Sequence, residues 1–197
     1  MLVIIGLFLG GILKGQEMII QAKVKNSIQD FSGVSAAYYG YQDRYRATPG
    51  DDIGADRWAG ATKGNGDRVL SGKYNGATSD ESALWWDHLR RSGFVTGGAG
   101  VTNPGNAFNG ILGVQTGDGP IVGAAPVAVL GGFTNLILCS TNLPDKVAIA
   151  LDVQMDDGLP ASGAVRGQTA SGAPTIVTAA ASYVETGTTT YTLCRQF

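Results

Sequence analysis

The strongest constraint on this chain is a helical pattern that begins at residue 1 and does not stop for some forty residues. Residues 1–13, MLVIIGLFLGGIL, carry no charge; Lys14 ends the run, and Glu17, Lys23 and Lys25 follow. Thirteen apolar residues rise about 20 Å as a helix, short of the roughly 30 Å hydrocarbon core of a bilayer. Three readings meet this length. A signal-peptide h-region would need a basic start and an A-x-A-like site, and neither is present. The second reading is a helix buried in a protein core. The third is a membrane helix whose first residues lie upstream of Met1, where about eight more apolar residues would reach spanning length. The pattern then runs on through IIQAKVKNSIQDFSGVSAAYYGYQDRYRATPGDD. Val24, Ile28, Phe31, Val34 or Ser35, Tyr38, Tyr41 and Tyr45 recur at steps of three and four, which is one stripe of an amphipathic helix. Thr48-Pro49-Gly50 ends it, because proline drives its predecessor out of the helical region. The expectation is one helix of about 45 residues, about 70 Å long and several times the usual length. A small domain cannot bury all of it. The first third, apolar all round, needs lipid or other helices; the rest needs one side of a globular head.

The remaining composition excludes several functions. A length of 197 residues allows one ordinary domain with an appendage. Hydrophobic residues at 44% suffice for a core, while charged residues at 15% fall well below the usual share of about 25%. The net charge of −2, without a basic stripe, argues against a nucleic-acid partner. One histidine and two cysteines exclude four-cysteine, two-cysteine two-histidine and three-histidine zinc sites. His88 is then the sole imidazole, with no cysteine or G-x-S-x-G serine to serve. Glu81, Asp87 and His88 form the one polar trio, on a short helix without a nucleophile. No GxxxxGK[ST] occurs, and GDGPIVG at 117–123 misses the GxGxxG spacing. No catalytic residue is expected, and the chain reads as a non-enzyme.

Local signals fill in the rest. Asn65-Gly66 and Asn75-Gly76 are two-residue turns that suit hairpins. Asn65 and Asp67 supply oxygens for a calcium loop, but Arg68 intrudes and the later glutamate is missing, so a turn is expected. Residues 78–93 read as a helix, with Thr78 and Glu81 as a capping box. Leu84, Trp85, His88 and Leu89 share its face, Arg90 and Arg91 its last turn, and Gly93 follows as C′. Trp85 and Trp86 are expected to anchor this helix to a sheet rather than to stack sugars. Between Ser92 and Pro144 the only charge is Asp118, and eleven glycines fall between residues 97 and 132. So uncharged a stretch fits contacts with neighbouring subunits. VAVL at 127–130 and FTNLILC at 133–139 read as strands. VAIALDVQM at 147–155 satisfies both strand alternation and helical spacing, with Asn142 as a candidate cap. TIVTAAASYVETGTTTYTL reads as two strands about a Gly187 turn. Cys139 and Cys194 are either two buried thiols or one bridge; a bridge would close about 56 residues and contribute about 4 kcal/mol.

VIIGLFLGGILKGQEMI, followed by the amphipathic helix and then T-P-G-D, resembles the N-terminal region of type IV pilins and of the related pseudopilins of type II secretion. The resemblance covers residues 1 to about 50. It is visible again in GNGD at 64–67, in LWWDHLRRSGFV and in LDVQMDDGLPASGAVRG. It implies an α+β, pilin-like fold in which a long N-terminal helix packs on a globular head with a small antiparallel sheet. Residues 1–48 would be the helix, apolar over 1–13 and amphipathic over 14–48, and residues 49–197 the head. The D-D-G-x-P stretch tips residues 147–155 towards a short helix.

The family's mature chain begins with a methylated phenylalanine and carries a glutamate in its stem. Neither is in this sequence, so Met1 aligns inside the stem. By resemblance, Leu2, Val3, Ile4, Ile5, Gly6, Leu7, Phe8, Leu9, Gly10, Gly11, Ile12 and Leu13 form the filament-core stem. Gly10, Gly11 and Gly15 would allow close helix approach, and Tyr38, Tyr39, Tyr41 and Tyr45 would pack the head or its neighbours. Cys139 and Cys194 would form the disulfide. No cofactor is implied beyond calcium at Asp152, Asp156 and Asp157, where some pseudopilins bind it. The implied function is a structural subunit that polymerises into a type IV pilus-like filament on the bacterial surface. Its partners would be identical subunits, the inner membrane before assembly, and the pilus or secretion machinery. The alternatives are a secretion pseudopilin and, third, an exported enzyme or carbohydrate-binding domain on a membrane tether.

Overall fold

A computed structural model describes residues 2–116, 130, 132–169 and 179–197, with residues 2–9 described in their backbone alone. One helix, α1 (Leu2–Tyr45), spans 44 residues, about 66 Å at 1.5 Å per residue. Its sides are unequal along its length. Residues 10–22 are exposed apart from half-buried Gly15. From Val24 onward one stripe is buried, comprising Val24, Ser27, Phe31, Val34, Ala37 and Tyr41, with Ile28, Tyr38 and Tyr45 half-buried beside it. The apolar spacing read from the sequence is therefore the packed stripe.

The segment after α1 locks the helix to the head. Arg46 adopts φ 56°, and Gly50 φ 83°. At Gly50 a Cβ would lie 2.3 Å from the Glu81 carbonyl oxygen, so only glycine fits. The buried Asp52 carboxylate accepts hydrogen bonds from the Tyr41 hydroxyl (2.6 Å), the Arg57 guanidinium (2.6 Å) and the Gly54 amide (2.7 Å). Burial alone would raise its pKa, but these donors together hold it below the usual carboxylate value. Its neighbour Asp51 accepts from the amides of Gly66 (2.6 Å) and Arg68 (2.7 Å). Residues 64–68 thus wrap a buried carboxylate. They do not form the hairpin that Asn65-Gly66 suggested, because the carboxylate takes the amides that a strand partner would need.

Helix α2 (Glu81–Arg91) lies between α1 and the sheet and is buried from Glu81 to Leu89. It starts three residues later than expected, with Asp80 as N-cap and Glu81 as its first residue. The T-x-x-E capping box does not form, because the Glu81 carboxylate accepts instead from the amides of Asn65 (3.1 Å) and Ser71 (2.9 Å). Gly93, at φ 81°, ends the helix as C′.

The sheet has four antiparallel strands in the order β1-β2-β4-β3. They are β1 (Leu112–Thr116), β2 (Leu136–Pro144), β3 (Val165–Thr169) and β4 (Thr190–Gln196). The third helix, α3 (Asp145–Met155), follows β2 directly, so residues 147–155 are helical. Its N-cap is Pro144; Asn142 instead sits in a bulge of β2 at φ 58°, with its amide on the Phe108 carbonyl. Strands β1 and β3 carried no clear alternation in the sequence. The strand expected at 133–139 begins at Leu136, and Leu130 is in a turn. Residues 127–129 and 175–178, also expected in strands, lie outside the described residues, while residues 179–189 form no strand.

Alternation along β2 sorts the core into faces. Leu138 joins Phe31, Val34, Tyr41, Trp85, Trp86 and Leu89 beneath α1 and α2. Leu143 joins Val24, Val147, Leu151, Val165 and Leu193 beneath α3. Ile137 and Cys139 face the other way, with Cys194, Tyr74 and Phe133. Cys139 and Cys194 are paired in register on neighbouring strands and form a disulfide.

Candidate functional site: the uncovered face of the long helix

The largest unpacked apolar surface on the described residues belongs to α1. Ile12, Leu13, Met18 and Ile19 are each more than half exposed, at 57%, 65%, 66% and 59%. At Gly10, Gly11 and Gly15 an added Cβ would meet nothing within 4 Å. Charge on this stretch is confined to Lys14 and Glu17, which pair with each other at 3.0 Å in solvent. Such a pair adds little stability. A soluble monomer rarely leaves so much contiguous apolar surface uncovered, and such surfaces mark interfaces. Gly10, Gly11, Ile12 and Leu13 of the expected stem therefore stand clear of the head. Leu2, Val3, Ile4, Ile5, Gly6, Leu7, Phe8 and Leu9 continue the helix in backbone, their side chains lying outside the description. Among the described residues, no helix is long and apolar enough to cross a membrane.

The acid–base candidates on α2 are occupied. His88 is fully buried; its Nδ1 accepts the Gly50 amide proton (2.9 Å) and its Nε2 donates to the Thr62 carbonyl (2.8 Å). Both contacts need the neutral ring. Asp87 is held by Arg91 at 2.6 Å, and Glu81 by two backbone amides. The trio thus ties loops to a helix and presents no free base. Trp85 and Trp86 are fully buried between α1 and the sheet, with Trp85 stacked on Tyr38 at 5.1 Å, so they anchor and offer no sugar platform.

Burial lowers the His88 pKa below its ordinary value, since desolvation disfavours the charged ring. The unfolded chain then binds a proton below about pH 6.5 that the folded chain refuses. Stability is expected to be flat above about pH 7 and to fall as pH drops through about 6.5 towards the lower folded value. Thermal melts across this range check it; a melting temperature unchanged between about pH 7 and pH 5 contradicts the burial account.

Two acidic groups have the reach of cation sites. The carboxylates of Asp152, Asp156 and Asp157 bring one oxygen each within 4.8 Å of one another, as do Asp51, Asp67 and Glu81. Sequence spacing did not point to the second group, because its members lie 14 to 30 residues apart (67−51=16, 81−67=14, 81−51=30). Both groups have neighbours that use their oxygens. Asp152 accepts from Tyr183 and the Gly158 amide, Asp156 from Val165, and Asp157 from Leu159 and Ser162. Burial leads in raising the Asp152 pKa, opposed by the Tyr183 and Gly158 hydrogen bonds. Asn65 is not part of either cluster; its carbonyl oxygen accepts the Asp67 amide.

Sequence reasoning missed Asn103 and Asn106, which shape the glycine-rich loop before β1. Asn103 donates to the carbonyls of Tyr74 and Leu112. Asn106 donates to Ser140 and Thr141 and accepts from Phe108 and Gly110. Lone asparagines among glycines were the available signal, since their side chains commonly bond nearby backbone. No family model matches the chain, and no curated protein or solved structure matches it.

Proposed function

We propose that the chain is a structural subunit that polymerises through its N-terminal helix into a type IV pilus-like extracellular filament. The observation that carries the reading is the division of α1: one half packed on the head, the other apolar and uncovered. An apolar helix that leaves its own domain has two chemical homes, lipid and other helices, and a filament subunit uses each in turn. The disulfide supports export to an oxidising compartment, where such bonds persist. The resemblance of residues 1 to about 50 to pilins supports the same reading. In it, residues 2–13 are the filament-core stem, the inner membrane holds the subunit before assembly, and the partners are identical subunits and an assembly machine.

Mass spectrometry of material sheared from cells tests it. The expected result is this chain in the sheared fraction, with a methylated residue upstream of Met1. Absence from the sheared fraction, or Met1 as the true start, overturns it. A secretion pseudopilin is the second reading, favoured by the gathering of Asp152, Asp156 and Asp157. A melting temperature that rises with millimolar calcium, and not magnesium, would move the assignment there.

A further inference from the structure

A groove runs along one flank of α1 within the head. Asp30, Gly33 and Val34 of α1 line it together with Trp86, Phe94 and Leu112. At about 310 Å³ it lies at the bottom of the range for small-molecule sites, and it follows the helix flank. Gly33 leaves that flank flat: an added Cβ would meet nothing within 4 Å, so another backbone can approach closely. Half-buried Asp30 sits at the N-terminal end of the groove, and among the described residues no cation pairs with it. Desolvation raises its pKa, as expected for a carboxylate lacking compensation. The groove therefore calls for an apolar helix bearing one positive charge.

The chain carries such a segment. Residues 10–20, GGILKGQEMII, hold a single cation, Lys14, and it is engaged only by Glu17 in solvent. At 100° per residue, Gly11, Lys14, Gly15 and Met18 fall on one face, small enough to meet the flank at Gly33. We propose that a second copy of this chain lays that face of its α1 along the groove, parallel to the first helix, with its Lys14 on Asp30. Lys14 precedes Met18 by one turn, just as Asp30 precedes Val34. Parallel alignment then seats Met18 against Val34, Phe94 and Leu112. The offset is 16 residues, about 24 Å along the axis. Giving face and receiving groove are different parts of one chain, so each copy does both. Such a contact is heterologous and repeats without closing. The inference rests on the filament reading for that repeat.

The native cysteines are bonded to each other, so introduced thiols report alone. The full chain carrying both Lys14→Cys and Asp30→Cys, treated in membranes with a short bismaleimide, is expected to give a ladder of dimers, trimers and higher species. A mixture of the two single variants should stop at dimers, and neither alone should cross-link. In parallel, Lys14→Asp and Asp30→Lys should each lower cross-linking between cysteines placed at Gln21 and Ala37, one turn further along the same alignment, at least tenfold. Their combination should restore it, which a misfolded variant would not do. No cross-link, dimers only from the double variant, or products with other proteins alone would overturn the proposal. Sheared filaments without the ladder would leave the filament reading standing and remove this contact. The ladder without sheared filaments would do the reverse.

Discussion

Removing residues 1–22 is expected to leave a folded, detergent-free head that no longer enters any sheared or pelletable polymer. The first fully buried side chain of α1 is Val24, and residues 10–22 contribute no residue to any of the three core clusters. The deletion therefore removes apolar surface that only another helix or lipid covers. Its effect on the head's melting temperature should be a few degrees at most, the cost of fraying a new helix end. Polymer should fall below detection, because the surface that would hold subunits together is gone. Sedimentation and thermal melting of the truncated chain measure both. Polymer that persists would assign assembly to head contacts alone. A head that aggregates would make the stem part of its core.

The second large effect concerns the disulfide. Replacing both half-cystines, as Cys139→Ala with Cys194→Ala, is expected to cost about 4 kcal/mol on the chain-entropy model for a loop of this size. At about 2–4 °C per kcal/mol for a domain of this length, the melting temperature should fall by about 8–16 °C. The bridge joins the middle of β2 to β4, and both residues are fully buried. Mild reductant should therefore leave the bond intact below the melting transition and cut it within the transition. Calorimetry with and without reductant decides; a fall of less than about 3 °C would mean that the sheet holds β4 unaided.

Legibility differed with the range of the interactions. The long helix could be read because each turn repeats the same local requirement, and Thr48-Pro49-Gly50 is a local stop. Helix α2 was legible for the same reason, but its first turn was not. Glu81 satisfies the capping pattern in sequence, yet Asn65 and Ser71, folded against it, supply better donors. Residues 147–155 satisfied two periods equally, and only their position directly after β2 makes them helical. Strands β1 and β3 stayed hidden because LGVQT and VRGQT draw their stability from partners 24 and 26 residues away or more, such as Thr116 with Leu136 (136−116=20) and Thr169 with Tyr191 (191−169=22) at the nearest. The role of Asp51 was likewise invisible. An aspartate after proline and glycine signals a turn, and nothing local says that it will collect the amides of Gly66 and Arg68. The uncovered stem was the part of the candidate site most open to reading, since uninterrupted apolarity needs no partner to be seen. Asp30 was passed over as an ordinary polar position of an amphipathic helix.

The strand order β1-β2-β4-β3 also sets a timetable. Chain order and spatial order part company at β4, which fills the gap between β2 and β3 and is synthesised after both. Until it emerges from the ribosome, β3 has no neighbour, β2 has one open edge, and Cys139 has no sulfur to meet. The long helix, by contrast, is synthesised first and is complete in itself. Each nascent chain therefore shows its sticky end to the cell well before it owns a finished head. An early berth for that end is a requirement of the topology, whatever the filament is later used for.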